Sequence, residues 1–416
     1  MELPSQSIFA GILTALVGFT SSSAVVLTGL RAVGATQGEA ASGLLAVCVT
    51  MAVGILWLTW RHRIPLTLAW STPGAALLAS TGAVRGGWPA AVGAFAIVGL
   101  LIILTGLWPR LGTLIAAIPA SIAQAMLAGV VLGLCLAPFR ALAGHPWEVA
   151  PVMATWLVLL RFARRWAVPA AFAMTLVVVG LDIALHGGWH GGTGTLLPHL
   201  DWTAPTLTWA GVLGIALPLY VVTMAGQNVP GVAIMSTYGY EVPWRETMAV
   251  TGIGTVAGAL AGGHVVNLAA ITASLSASPD AHPDPRRRWI ASATAGWAYL
   301  VLALLSAAFT AFVSASSADV VGAVAGLALL GTLASSLSAA FTAPSGAKPS
   351  GAEPSGPGPA GAGPGRAGPG DREAAAVTFV VAASGLAFGG IGAAFWALAA
   401  GLLVRAVASF RLRTMP

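Results

Sequence analysis

The chain has 416 residues, of which 57% are hydrophobic and 8% charged, with a mean hydropathy of +0.86. A soluble domain carries about 25% charged residues, so this composition excludes one. Apolar runs recur at spans of about 20 residues, the length with which a helix crosses roughly 30 Å of hydrocarbon. The chain therefore reads as an all-α polytopic membrane protein with about 14 transmembrane segments, short connections and no room for a large soluble domain.

The net charge of +6 does not make a nucleic-acid surface, because the basic residues are spread over successive connections and form no single stripe. The two cysteines, Cys48 and Cys135, each lie within an apolar run, which argues against a disulfide framework and a CxxC site. They are expected as small core residues. The first span carries Thr20, Ser21, Ser22 and Ser23 at its middle and no basic residue before it, so it reads as a retained helix.

In chain order, a first set of spans falls near 8–30, 41–58, 64–82, 88–108, 119–138, 149–162 and 166–185. A second set runs 206–224, continuing irregularly to about 238, then 247–262, 264–278, 289–313, 319–341, 374–388 and 391–408. With the N-terminus in the cytoplasm, 16 of the 19 Lys and Arg fall in inside connections and the C-terminus, leaving Arg31, Arg85 and Arg140 outside. That bias supports an inner-membrane protein with both termini cytoplasmic. Trp57, Trp60, Trp88, Trp108, Trp166, Trp209 and Trp289 stand at span ends as an interfacial belt. Residues 344–370, almost wholly Pro, Gly, Ala and Ser, read as a disordered cytoplasmic linker.

Inside a membrane every backbone polar group needs a partner, so irregular backbone marks a protein-covered or water-filled site. The third span contains Trp70-Ser71-Thr72-Pro73-Gly74, in which Ser71 or Thr72 can cap a half-helix begun by Pro73. Its free N–H groups and positive dipole end suit an anion. Taken alone, a Pro-kinked structural helix is the stronger alternative. The tenth span repeats the pattern as Gly262-Gly263-His264 followed by Asn267, which is placed to cap a second half-helix. Interrupted segments at matching places in two halves point to a transporter site between inverted repeats. The eighth span has a third break at Gly226-Gln227-Asn228-Val229-Pro230, whose two amides are costly in hydrocarbon unless they bind substrate or hold helices together. Phe19, Thr20 and Ser21 of the first span are placed to line the opposite wall.

These stretches resemble the benzoate/proton symporter (BenE) family. The likeness rests on residues 4–11 (PSQSIFAG), 69–75 (AWSTPGA), 125–130 (AMLAGV), 226–231 (GQNVPG), 267–273 (NLAAITA) and 281–285 (AHPDP). It covers the chain from residue 4 to about 410 apart from the linker. The resemblance implies the seven-plus-seven inverted repeats of nucleobase and sulfate transporters. It divides the chain into core domain 1–110, gate domain 111–202, core domain 203–316 and gate domain 317–416, with core moving against gate like an elevator. It also implies substrate contacts from Trp70, Ser71, Thr72, Gln227, Asn228 and Asn267. Phe19, Thr20, Ser21 and Thr272 complete the candidate set. Nucleobase carriers have acids where Gln227 and the Asn267 region stand, which argues against a nucleobase.

The expected function is import of an aromatic monocarboxylate, benzoate first, together with a proton. Two helix ends of roughly half a charge each offset one carboxylate, so no buried Lys or Arg is required. His264 is a candidate proton carrier beside Glu241, Glu246, Asp319 and the substrate itself, with a structural histidine as its alternative. The expected partners are a small aromatic carboxylate, a proton, the lipid bilayer and a second copy through the gate. No cofactor, metal or nucleic acid is expected, and His145, His186, His190 and His199 read as solvated loop residues. An uncoupled channel or exporter for small anions and a nucleobase or sulfate carrier are the alternatives. An intramembrane hydrolase lacks a base for Ser71, an HExxH motif and paired intramembrane aspartates.

Overall fold

The apolar runs form helices that end at the charged, Pro and Gly punctuation of the sequence. The computed structural model describes residues 5–108, 110–112, 118–186, 196–270, 272–315, 317–342 and 370–413. The expected linker, save Gly370, and His190 lie outside the described residues. In the first half, α1 (Ser5–Ala32) and α2 (Gln37–His62) precede a short strand β1 (Leu68–Trp70), a ten-residue helix α3 (Thr72–Thr81) and α4 (Gly87–Leu107). Then come α5 (Ala120–Gly144), α6 (Pro146–Phe162) and α7 (Ala167–His186).

The second half repeats this order. It comprises α8 (Trp209–Thr237), α9 (Trp244–Ala259), β2 (Val266–Leu268), α10 (Ala273–Ala277), α11 (Trp289–Leu304), α12 (Ser306–Ala315), α13 (Ala318–Phe341), α14 (Asp371–Ala383) and α15 (Ala393–Arg413). Every segment expected from the sequence has a helical counterpart. Among the described residues, seven helices are long and apolar enough by themselves to cross a membrane, and α11 with α12 adds an eighth as a bent pair.

Small residues set how closely the helices approach. In lipid there is no hydrophobic drive between helices, so association relies on close packing. Where α4 meets α9, Gly99 and Gly252 face each other, and a Cβ on either would lie 2.8 or 2.7 Å from the other's carbonyl oxygen. Packing divides the helices into two groups. α1 lies on α11 and α3, α2 on α11 and α4 on α9; in the second group α5 lies on α13 and α14, α6 on α7, and α14 on α15. The groups meet where α1 and α3 face α5, α7 and α13.

Three local expectations are corrected. The eighth segment is not broken but continuous, with wide five-residue turns at Val212–Ala216 and Met224–Asn228. Each ends two residues before a proline, Pro218 and Pro230, and the widened turn takes up the bond that a proline cannot make. The eleventh segment is bent by 55° between α11 and α12 rather than straight. The bend falls where the Leu305 N–H turns to the Leu302 carbonyl at 3.1 Å, tightening the helix. Trp88 leaves the interfacial belt: it is buried and donates its indole N–H to Thr203 Oγ1 at 3.0 Å.

Candidate functional site

Ser71-Thr72-Pro73-Gly74 builds the first break from local chemistry. Ser71 is extended (φ −75°, ψ 90°), and its Oγ accepts the Gly74 N–H at 3.1 Å while sharing a hydrogen bond with Thr223 Oγ1 at 2.8 Å. Pro73 supplies the first helical turn of α3 without wasting a donor.

The extended residues before α3 pair with those before α10. β1 and β2 run antiparallel, with Leu68 opposite Leu268, Ala69 opposite Asn267 and Trp70 opposite Val266. The Ser71 N–H reaches Val265 O and the Ala269 N–H reaches Thr67 O, both at 2.9 Å. That satisfies the inner edges. On the outer edge of β2, Val266 N–H donates to Thr255 Oγ1 at 3.0 Å and Leu268 N–H to Asn228 Oδ1 at 2.8 Å. Two side chains thus stand in for a third strand where an open edge would be untenable.

Beside this pair lies a cavity of about 330 Å³. Its wall takes Gly18, Ser21 and Ser22 from α1, Trp70 and Thr72 at the start of α3, Gln227 from α8, Thr272 and Ser274 at α10, and Tyr299 from α11. Arg165, Pro169, Ala328 and Thr332 close it from the second group. Trp70 is held edge-on to Tyr299 with ring centroids 6.2 Å apart, and its indole N–H donates to Ser22 Oγ at 2.8 Å. Gly18 is required here because a Cβ would overlap the Tyr299 hydroxyl. The Thr272 hydroxyl is buried without a hydrogen-bond partner among the described residues. Such a group is expensive to leave unpaired.

The sequence-derived candidates separate into two sets. Ser21, Trp70, Thr72, Gln227 and Thr272 come together on the cavity wall. Phe19, Thr20, Ser71, Asn228, Asn267 and His264 do not line it. Phe19 packs behind Trp70, with centroids 5.9 Å apart, and against Phe309 at 5.3 Å. Thr20 bonds its own helix at Leu16 O, 2.6 Å away. Asn267 does not cap α10: it lies within β2, its amide donates to Leu268 O at 2.8 Å, and its Oδ1 is buried and unpartnered among the described residues. Thr272 occupies the N-cap of α10 instead, without a side-chain cap bond. The reason is the strand pairing, which holds Asn267 extended opposite Ala69. His264 is fully buried, with Nε2 3.3 Å from Ser71 O and Nδ1 unpartnered among the described residues.

Four polar wall residues escaped the sequence reading: Arg165, Ser274, Tyr299 and Thr332. Arg165 counted there only toward topology, and Tyr299 sits in an unremarkable apolar run; that it is one of four tyrosines in the chain is the one available signal. The far end of α10 is fixed by Arg288, whose guanidinium donates to Ala277 O at 2.9 Å, His282 O at 2.7 Å and Pro283 O at 3.3 Å. Next to it Tyr240 donates to Pro285 O at 2.9 Å, and burial raises the pKa of its hydroxyl against the opposing charge of Arg288.

The fold that sets two paired breaks beside a cavity is shared with solved transporters. The chain matches the transmembrane domain of the cyanobacterial bicarbonate transporter BicA with a TM-score of 0.53 and 17% identity, over 81% of this chain and 97% of that one. It matches the murine anion transporter Solute Carrier 26 family member A9, in its inward-facing state, with a TM-score of 0.65 and 11% identity, over 98% of this chain and 68% of that one. These likenesses show a shared fold. Residues 2–407 match the family described as benzoate membrane transport protein (BenE), and the chain belongs to that family of membrane transporters. It is 35% identical to inner membrane protein YdcO of Escherichia coli (strain K12) over 402 residues, 96% of this chain and 95% of that one. It is 27% identical to the benzoate membrane transport protein of Acinetobacter baylyi over 408 residues, 95% and 93% of the two chains.

Proposed function

We propose that this protein is an inner-membrane carrier, with cytoplasmic termini, that imports an aromatic monocarboxylate, benzoate first, with a proton. The observation that carries the reading is the cavity beside the β1–β2 pair, whose wall takes the Trp70 indole, Gln227 and Thr272, the last with a buried hydroxyl that has no partner among the described residues. Gln227 has no side-chain hydrogen bond to protein among the described residues, so its two N–H donors are free for a carboxylate. Trp70 and Tyr299 offer the ring edges against which an aromatic substrate packs. The start of α3 adds roughly half a positive charge; α10 is only five residues long and adds little dipole.

In this reading the first packing group is the core and the second the gate, and the core slides as a unit, carrying the cavity between the two faces. Burial of His264 outside the cavity, against the Ser71 carbonyl, favours a structural histidine and leaves the substrate carboxyl as the proton's vehicle. Self-association through the gate belongs to the same proposal, and cross-linking in native membranes tests it.

The decisive experiment is an uptake screen of purified protein in liposomes with benzoate, substituted benzoates, uracil and sulfate. Benzoate accumulated uphill under an imposed pH gradient is expected. Uracil active with benzoate inert overturns the substrate assignment, and flux that only equilibrates favours an uncoupled channel.

A further inference from the structure

The cavity wall contributed by α1, α3, α8, α10 and α11 is largely apolar, set with a few polar groups, and carries no formal charge; the opposite wall carries one, the guanidinium of Arg165. Arg165 sits in the short turn Arg164–Trp166 between α6 and α7 and is exposed at the cavity rim. No carboxylate lines the cavity, and Arg165 has no ion-pair partner among the described residues. We infer that Arg165 is a one-sided substrate-binding residue, which contacts the anion only when the cavity opens toward the α6–α7 turn. The inference rests on the proposed reading of the substrate as a small anion.

The placement explains how a cation serves this site at all. An arginine among the buried wall residues would stand unpaired whenever the carrier is empty, at a desolvation penalty of several kcal/mol. At the rim its charge stays hydrated and costs nothing in the empty state. It also adjoins α6 and α7 of the second packing group, whereas Trp70 and Thr72 stand at the start of α3 and Tyr299 lies on α11 in the first. A slide of one group along the other by a single helical turn, about 5 Å, removes Arg165 from the anion while the uncharged contacts travel with it. The carrier thus acquires a higher anion affinity on the face that bears the turn, which the charge bias assigns to the cytoplasm.

The test compares half-saturation from each face in right-side-out and inside-out membrane vesicles, with labelled benzoate and labelled bicarbonate as parallel probes. In Arg165→Gln, half-saturation is expected to rise about tenfold from the face bearing the α6–α7 turn and to stay within about twofold from the other, a difference worth about 1.4 kcal/mol. Arg165→Lys stays near wild type because it keeps the charge. Arg164→Gln, outside the cavity wall, leaves both faces unchanged. Should the glutamine variant fail to insert, Arg165→Cys serves instead: a cationic methanethiosulfonate restores the one-sided affinity and an anionic one does not. Cys48 and Cys135 are buried and do not compete for the reagent.

An equal rise on both faces, or none on either, for every probe that wild type moves, overturns the inference. Benzoate inert in wild type while bicarbonate moves defeats the aromatic reading alone, and the bicarbonate arm then decides Arg165.

Discussion

The two breaks that meet beside the cavity are built differently. The first carries its own instructions: Ser71 caps, Pro73 starts the helix, and α3 runs ten residues. The second has a five-residue helix with no side-chain cap, and its strand is held by Thr255 and by Asn228, 40 positions away. Arg288 fixes its far end through Ala277 O. One break is self-supporting, and the other is assembled by its neighbours. The second also keeps, among the described residues, an orphaned Thr272 hydroxyl and an unpartnered Asn267 Oδ1. Polar groups left unpaired in a buried place are costly, and here they cluster on the side of the site that local sequence does not hold.

Substitutions can pull this contrast apart, beginning with Asn228→Ala. It strands the Leu268 N–H in a buried position, at a cost of about 1–3 kcal/mol, and frees the edge of β2. Thermal unfolding in detergent should fall markedly, with transport lost alongside. An Asn228→Ala protein of wild-type stability would return Asn228 to the list of pure substrate contacts. Ser71→Ala is the parallel cut in the first break. It removes a cap, at about 0.5–2 kcal/mol, but Pro73 and the strand pairing remain, so unfolding should shift less than for Asn228→Ala. A larger shift would mean that the first break depends on its cap more than on its pairing.

What could be seen in the sequence follows the same division. Helix positions were visible because apolar length and the placement of Arg are properties of single segments. The first break was visible because Ser71, Thr72 and Pro73 act on their own backbone. Gly262 and Gly263 locate the second, but local sequence points to Asn267 as its cap, whose role depends on a strand partner, Ala69, in the other half of the chain. Gln227 and Asn228 read alike as adjacent amides, yet one faces the cavity and the other holds a strand edge. Arg165 and Tyr299 could not be placed at all, because only the packing of α7 and α11 brings them to the wall.

Adjacent amides with separate duties make the next contrast. Gln227→Ala deletes no protein hydrogen bond, so stability should change by less than about 1 kcal/mol, while benzoate uptake is abolished with membrane insertion intact. Paired with Asn228→Ala, it separates loss of a ligand contact from loss of the scaffold. Uptake unchanged in Gln227→Ala removes that amide from the site.

The smallest effect on stability, and the most telling, belongs to Thr272→Val. The substitution keeps the branched shape and discards a hydroxyl that has no hydrogen-bond partner among the described residues. Replacing an unsatisfied buried hydroxyl by a methyl is neutral or stabilising, so unfolding should stay level or rise slightly. If the hydroxyl is kept for the substrate, the variant loses one hydrogen bond of about 1 kcal/mol or somewhat more for a charged acceptor, and half-saturation by benzoate should rise roughly five- to tenfold. A gain in stability with unchanged affinity would mark the orphaned hydroxyl as a packing defect. A gain in stability with weaker binding would show that the second break carries its unpaired group as the requirement of an anion site. Ser71, bonded on both sides in the first break, has no such group to give up.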